Sequence, residues 1–179
     1  MTGFWTKPLR AAITAVPVLA LAGCLLVPQH GQSSDILETS LEKLGPVVDA
    51  TVEITYGPYS GLTRSASTTL DIVLSDDYSV ADPEAVLRWA LQTVWSINDE
   101  KPTTTVGVAL LNPDGTMVDW DWESAVTALG YDPEDIRFYL GLPSNHGELT
   151  FSANDALVEK MGSWPADVPP LPESAFTEK

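Results

Sequence analysis

Residues 48–56, VDATVEITY, carry the pattern on which the fold reading rests: Val48, Ala50, Val52, Ile54 and Tyr56 alternate with Asp49, Thr51, Glu53 and Thr55. A period of two sends one set to a core and the other to water, the signature of a half-buried strand. Turn chemistry follows in GPYSG (57–61), and Ala66, Thr68, Leu70, Ile72 and Leu74 repeat the alternation. The two runs are therefore predicted to form an antiparallel hairpin.

Upstream, DILE (35–38) has the spacing of a helix start with a carboxylate cap, and Leu37, Leu41 and Leu44 follow at helical spacing until Gly45-Pro46 stops them. Downstream, Asp82-Pro83-Glu84 opens a helix that runs to about Ile97: an N-cap acid, a proline at the first position and an acid near the positive dipole end. Its polar stripe is only Arg88, Gln92 and Ser96, while Val86, Leu87, Trp89, Ala90, Leu91, Val94 and Trp95 fill most of the circumference. Such a helix must be covered nearly all round. Trp89 and Trp95 are expected in a core against a sheet, or else in a groove that meets a partner.

Residues 103–111 read as a third strand, joined through Asn112-Pro-Asp-Gly115 to a fourth over 116–122, with Val118, Trp120 and Trp122 on one face and Asp119, Asp121 and Glu123 on the other. A short helix to Leu129, capped by Gly130, comes next; 132–147 reads equally as helix or strand. A last strand at 148–152 and a last helix at 154–161 precede a tail, 165–179, whose prolines predict an extended chain. The order predicts an α+β domain: an antiparallel sheet of about four to five strands with helices packed on one face.

At 179 residues with 44% hydrophobic content, there is material for one core of ordinary size plus appendages. The balance is strongly acidic, 25 Asp plus Glu against 9 Lys plus Arg. Such a field repels phosphate backbones and anionic headgroups, which argues against nucleic-acid binding and against adhesion through a basic patch. The single cysteine, Cys24, excludes an internal disulfide and a cysteine-based metal site.

The first 23 residues have the three parts of an export signal: Lys7 and Arg10, an apolar run over 11–21, and small residues at the end, with no acid before Asp35. The junction Leu21-Ala22-Gly23-Cys24 resembles the lipobox of bacterial lipoproteins. The resemblance covers only these first 24 residues. It implies a diacylglyceryl group on the Cys24 sulfur, cleavage between Gly23 and Cys24, and an acylated Cys24 as the new N-terminus. Two acyl chains make a stable anchor where one binds only reversibly. A chain beginning at Cys24 loses Lys7 and Arg10 and carries a formal charge of about −18, seven basic groups against 25 acidic. Two other readings stand beside this one: a signal cut with an incidental cysteine, giving a soluble secreted form, and an uncleaved membrane helix, since the apolar run extends to Val27. The organisation is then 1–23 signal, 24–34 acylated start and tether, 35–164 globular domain and 165–179 tail.

Chemistry-bearing patterns are sparse. Ser60 lies between glycines, but not at Gly-x-Ser-x-Gly spacing; Ser40-x-x-Lys43 matches a penicillin-binding pattern without its companion motifs. Aligning Gly115 with the glycine of a calcium loop places Leu110 at the first ligand position, where it cannot ligate. The best constellation is Asp119, Asp121 and Glu123, which on one strand face would bind a hard cation or raise one another's pKa. His146 is the only histidine of the domain apart from His30 in the tether. The expectation is a lipid-anchored extracytoplasmic protein, held at a cell membrane through Cys24, with a non-enzymatic domain that takes a protein or small-molecule ligand and needs no cofactor. The alternatives are an envelope hydrolase using surface carboxylates and a divalent-cation module.

Overall fold

A computed structural model describes residues 31–60, 62–140 and 146–179; the lipobox-like junction at 21–24 lies outside them. The alternating run becomes strand β1 (Val47–Ser60), paired antiparallel with β2 (Thr63–Leu74). Ala50 faces Ile72, and Val52 faces Leu70, so the apolar sets of both strands share the core side as their period requires. The expected turn at 57–61 is shorter. The first strand continues through Gly57 and Pro58 with a register shift between Tyr56 and Tyr59. A proline is tolerated there because β1 is the edge of the sheet and the shift is a bulge.

The α+β class stands: a five-stranded sheet in the order β1-β2-β4-β6-β5, with β4 at Thr105–Leu111, β5 at Arg137–Leu140 and β6 at His146–Ser152. One pairing departs from the antiparallel expectation, since β4 lies parallel to β2 (Leu70 beside Val108). The reason is the helix between them, α2 (Pro83–Trp95), which carries the chain back along the sheet before β4 starts, as parallel neighbours require. Of the residues that read equally as helix or strand, Pro133–Asp135 form a 3-10 turn, Arg137–Leu140 the strand β5, and 141–145 lie outside the described residues.

The fourth strand expected at 116–122 does not form. The turn is there: Gly115, at φ 81°, donates its N–H to Asn112 O at 2.9 Å, and Asn112 N–H donates back to Thr116 O at 2.7 Å. Pairing then ends after the single bridge of Leu111 with Met117. One edge of β4 is held by β2 as far as Leu111, and the other by β6 from Thr105 to Val108, so the returning chain finds that edge open only over the last residues of β4. Met117 instead lies against Gly147, where its side chain occupies the space a Cβ would fill. Released from the sheet, Asp121 becomes the N-cap of α3 (Trp122–Ala128), accepting from Ser124 N–H at 3.1 Å.

The helices cover one face. α1 (Ser34–Leu41), α2, α3 and α4 (Asp155–Met161) share one hydrophobic cluster with Leu70, Ile72, Val106, Val108 and Leu110 of the sheet. Ser33, not Asp35, holds the N-cap position of α1, and Glu38 closes no capping box. Its carboxylate reaches β1 and accepts from Val52 N–H at 2.6 Å, blunting an exposed strand edge. The other sheet face carries a polar cluster beside Ala109 and Leu111: Thr69 and Thr150 both donate to Glu148, whose side chain lies across Gly107.

Eight of the 13 residues of α2 are buried, Trp89 and Trp95 among them, so both tryptophans are core residues. Trp95 Nε1 donates to Gly162 O at 3.0 Å, and Trp164 Nε1 to Ile97 O at 2.9 Å. The proline-rich segment 165–179 then runs along α2. Ala175 is fully buried and accepts Ala81 N–H; Phe176 meets Trp89 edge-on at 6.3 Å; and β7 (Phe176–Glu178) pairs with β3 (Tyr78–Val80) in a second, two-stranded sheet.

Two stability predictions follow from this core. Phe176→Ala removes the ring that closes over Trp89 and is expected to cost about 2 kcal/mol, somewhat below the usual value for a fully buried ring; an unchanged urea midpoint would show the tail contributes nothing. Thr68 is 1% exposed, its hydroxyl without a partner among the described residues, between Ile54 and Val106 in register. Thr68→Val replaces that hydroxyl by a methyl and is expected to stabilise by about 1 kcal/mol, read from the same denaturation curve.

Candidate functional site

The C-terminus of α3 builds the most coherent cleft. Gly130, at φ 74°, takes the left-handed conformation, donating its N–H to Thr127 O at 2.9 Å while Tyr131 N–H donates to Val126 O at 3.1 Å. This doubly bonded cap ends the helix and turns Tyr131 toward the sheet. There its ring meets Phe151 of β6 edge-on at 5.3 Å, and Lys160 of α4 lies with Nζ 4.8 Å from the ring centroid. The ammonium is held in place by donating to Leu129 O at 2.7 Å, so one lysine ties α4 to the end of α3.

Tyr131, Ile136 and Phe151 form the apolar wall of a cavity of about 300 Å³, and Asp135, Ser152 and Asn154 supply its polar groups. Asp135 and Ser152 also border an adjoining depression of about 190 Å³, lined in addition by Thr104, Thr105 and Thr150. A cavity with an aromatic and aliphatic wall on one side and polar side chains on the other suits a small ligand with an apolar body and hydrogen-bonding groups at one end. The Tyr131 hydroxyl is buried and has no partner among the described residues. A ligand acceptor would remove that deficit. Burial also raises the Tyr131 phenol above its ordinary value of 10.0.

A second depression, of about 290 Å³, lies between α2 and the prolines at 169–172. Its charged groups are engaged in structure. Asp82 caps α2 through Ala85 N–H at 3.0 Å and accepts the Ser174 hydroxyl at 3.2 Å, while Glu84 and Arg88 pair one turn apart at 2.7 Å. The Tyr131 cleft is the better candidate.

The residues singled out in the sequence do not assemble. Asp119, Asp121 and Glu123 share no strand face: Asp119 lies in the chain leading to α3, Asp121 caps that helix and Glu123 stands in its first turn. Their spacing of two has no meaning off a strand. Among the described residues no three His, Cys, Asp or Glu side chains lie close enough to hold a metal ion. The Ser40 hydroxyl donates to Leu37 O at 2.7 Å, so the Ser-x-x-Lys match is the end of a helix. Asp114 accepts from Thr116 through both its backbone N–H and its hydroxyl, and these bonds lower its carboxyl pKa. The Asn112–Gly115 stretch is thus a braced turn. His146 begins β6, but its side chain, like Cys24 and Gly23, lies outside the described positions. The cleft itself was not singled out in sequence. Gly130 marked a helix end, but nothing local announces that Phe151, 20 residues on, returns to face Tyr131. Comparison with protein-family models, with curated proteins and with solved structures finds no match to this chain.

The phenol supplies a pH test. Because the folded chain keeps the Tyr131 proton at a pH where the unfolded chain has released it, stability is full below pH 10.0 and declines as pH rises through the folded value. Melting temperatures from neutral to strongly alkaline pH should fall more steeply for the wild type than for Tyr131→Phe, other groups cancelling in the difference. Parallel curves would mean the phenol is solvated.

Proposed function

We propose that the protein is a lipoprotein of the extracytoplasmic side of a cell membrane, anchored by a diacylglyceryl group on Cys24, whose folded part binds a ligand instead of transforming one. The observation that carries the reading is the junction Leu21-Ala22-Gly23-Cys24, with the chain's only cysteine standing at the end of an apolar, acid-free leader. Two features of the fold support it. Gln32, close in sequence to the proposed anchor, is bonded into the domain, its N–H donating to Ser96 O and its O accepting from Asn98 N–H, both at 2.9 Å, which suits a short tether after Cys24. The Tyr131 cleft, with its unpartnered hydroxyl, offers a place for a small ligand, while Asp121 and Ser40 are engaged in helix geometry. Among the described residues no helix is long and apolar enough to cross a membrane.

Cys24→Ser tests the anchor. The variant is expected to leave the membrane fraction and the wild type to remain in it, with an N-terminal mass showing an acylated Cys24. Retention of the variant in membranes would sink the proposal.

A further inference from the structure

The hairpin of β1 and β2 outruns the sheet. Its next neighbour, β4, begins opposite Ser67, and the last support is at Ala66, which bonds to Thr103 and Thr104. The residues beyond project about 10 Å past the body, at roughly 3.3 Å per residue. That tip is apolar and aromatic: Leu62 is 102% exposed, Tyr59 72% and Tyr56 41%, half of the large hydrophobic side chains exposed among the described residues. The other three, Ile36, Val48 and Val158, are on separate elements. Arg64 lies over the Tyr56 ring at 4.0 Å and within 5.5 Å of Tyr59, a cation held among aromatic faces. Residues 54–70 are also the longest interval after Asp35 without Asp or Glu, in a chain carrying 25 of them.

The position of the tip selects its occupant. Gln32 is bonded to the chain at Ser96 and Asn98, and Ser34 N–H to Asp99 at 2.6 Å. Five residues after Asn98, Thr103 bonds to Ala66 at the base of the hairpin, so Gln32 is joined to that base through the one short segment that leads into β4. Gln32 and the apolar tip thus lie toward the same end of the sheet, where β4 begins beside Ser67. An acidic body tethered there is repelled by anionic headgroups, except where a segment free of carboxylates projects beyond it. Tyr, Leu and Arg are the side chains that settle at a bilayer boundary, rings at headgroup depth and guanidinium at the phosphates.

We propose that the hairpin tip, through Tyr59, Leu62 and Arg64, inserts into the headgroup region of the membrane that holds the anchor, fixing the orientation of the domain. The proposal rests on the lipid-anchored reading. In the acylated protein Cys24 is blocked as a thioether, so Leu62→Cys introduces one free thiol for an environment-sensitive fluorophore, and Thr51→Cys, exposed midway along β1, is the control.

The full-length protein is placed in vesicles of phosphatidylcholine and phosphatidylglycerol whose acyl chains carry a quencher, and flotation is scored in the same samples. The expected result is flotation, with quenching at position 62 at least about twofold that at position 51, as shallow apolar insertion demands. Adding Arg64→Glu should reduce it. Flotation with equal quenching at both sites overturns the tip contact and leaves the anchor standing. A blue shift at position 62 without lipid quenching overturns it in favour of a protein contact, a second copy included. Failure to float overturns both readings.

Discussion

The burial of α2 is the constraint on which the rest of the molecule depends. With apolar residues over most of its circumference, this helix cannot be satisfied by a sheet alone. The sheet takes one side through Val106, Val108 and Leu110; α3 and α4 take another; the chain after Met161 closes the remainder. The indoles are amphipathic, and two of them send the N–H to a carbonyl across an element boundary, the buried Trp95 to Gly162 and the half-buried Trp164 to Ile97. These bonds direct the proline-rich segment along α2, where Ala175 and Phe176 finish the core.

The sheet follows from the same helix. By returning the chain to the starting end of β2, α2 makes a parallel neighbour the geometrically available one, and β4 becomes a central strand with both edges in use. Exclusion of residues 116–121 from the sheet follows. Those residues have the alternation of a strand, but a strand needs an unoccupied edge, and β6 holds this one from Thr105 to Val108, leaving room for a single bridge. The loss has a chemical consequence, because three carboxylates that would have lined one face are distributed instead over a connecting segment, a helix cap and a first turn. The same arrangement draws β6 back past α3, and so brings Phe151 to Tyr131 and creates the cleft.

Charge and shape are distributed unevenly over this frame. The carboxylates lie on helix starts, turns and the outer strand positions, where water and backbone N–H groups satisfy them, as at Asp82, Asp114, Asp121 and Asp132. The long hairpin carries none beyond Glu53 until Asp71. Its free edge is guarded near the body by Glu38 and its far end is bare, so the molecule is polar in the second sense too: two dissimilar ends.

What the sequence by itself determined is local and periodic. The alternation in β1 and β2, the capped and nearly all-apolar α2, the Asn112–Gly115 turn and the Gly130 helix stop are each legible because the forces that make them act within a few residues, through side-chain direction, capping and backbone freedom. The α+β class could be read from their order. Only the tertiary structure decided which edge each strand occupies, that β4 runs parallel to β2, that the tail is part of the core, and that Tyr131 and Phe151 face each other. Those outcomes depend on competition between segments far apart in the chain for the same edge or the same apolar surface, and no window of sequence contains both competitors.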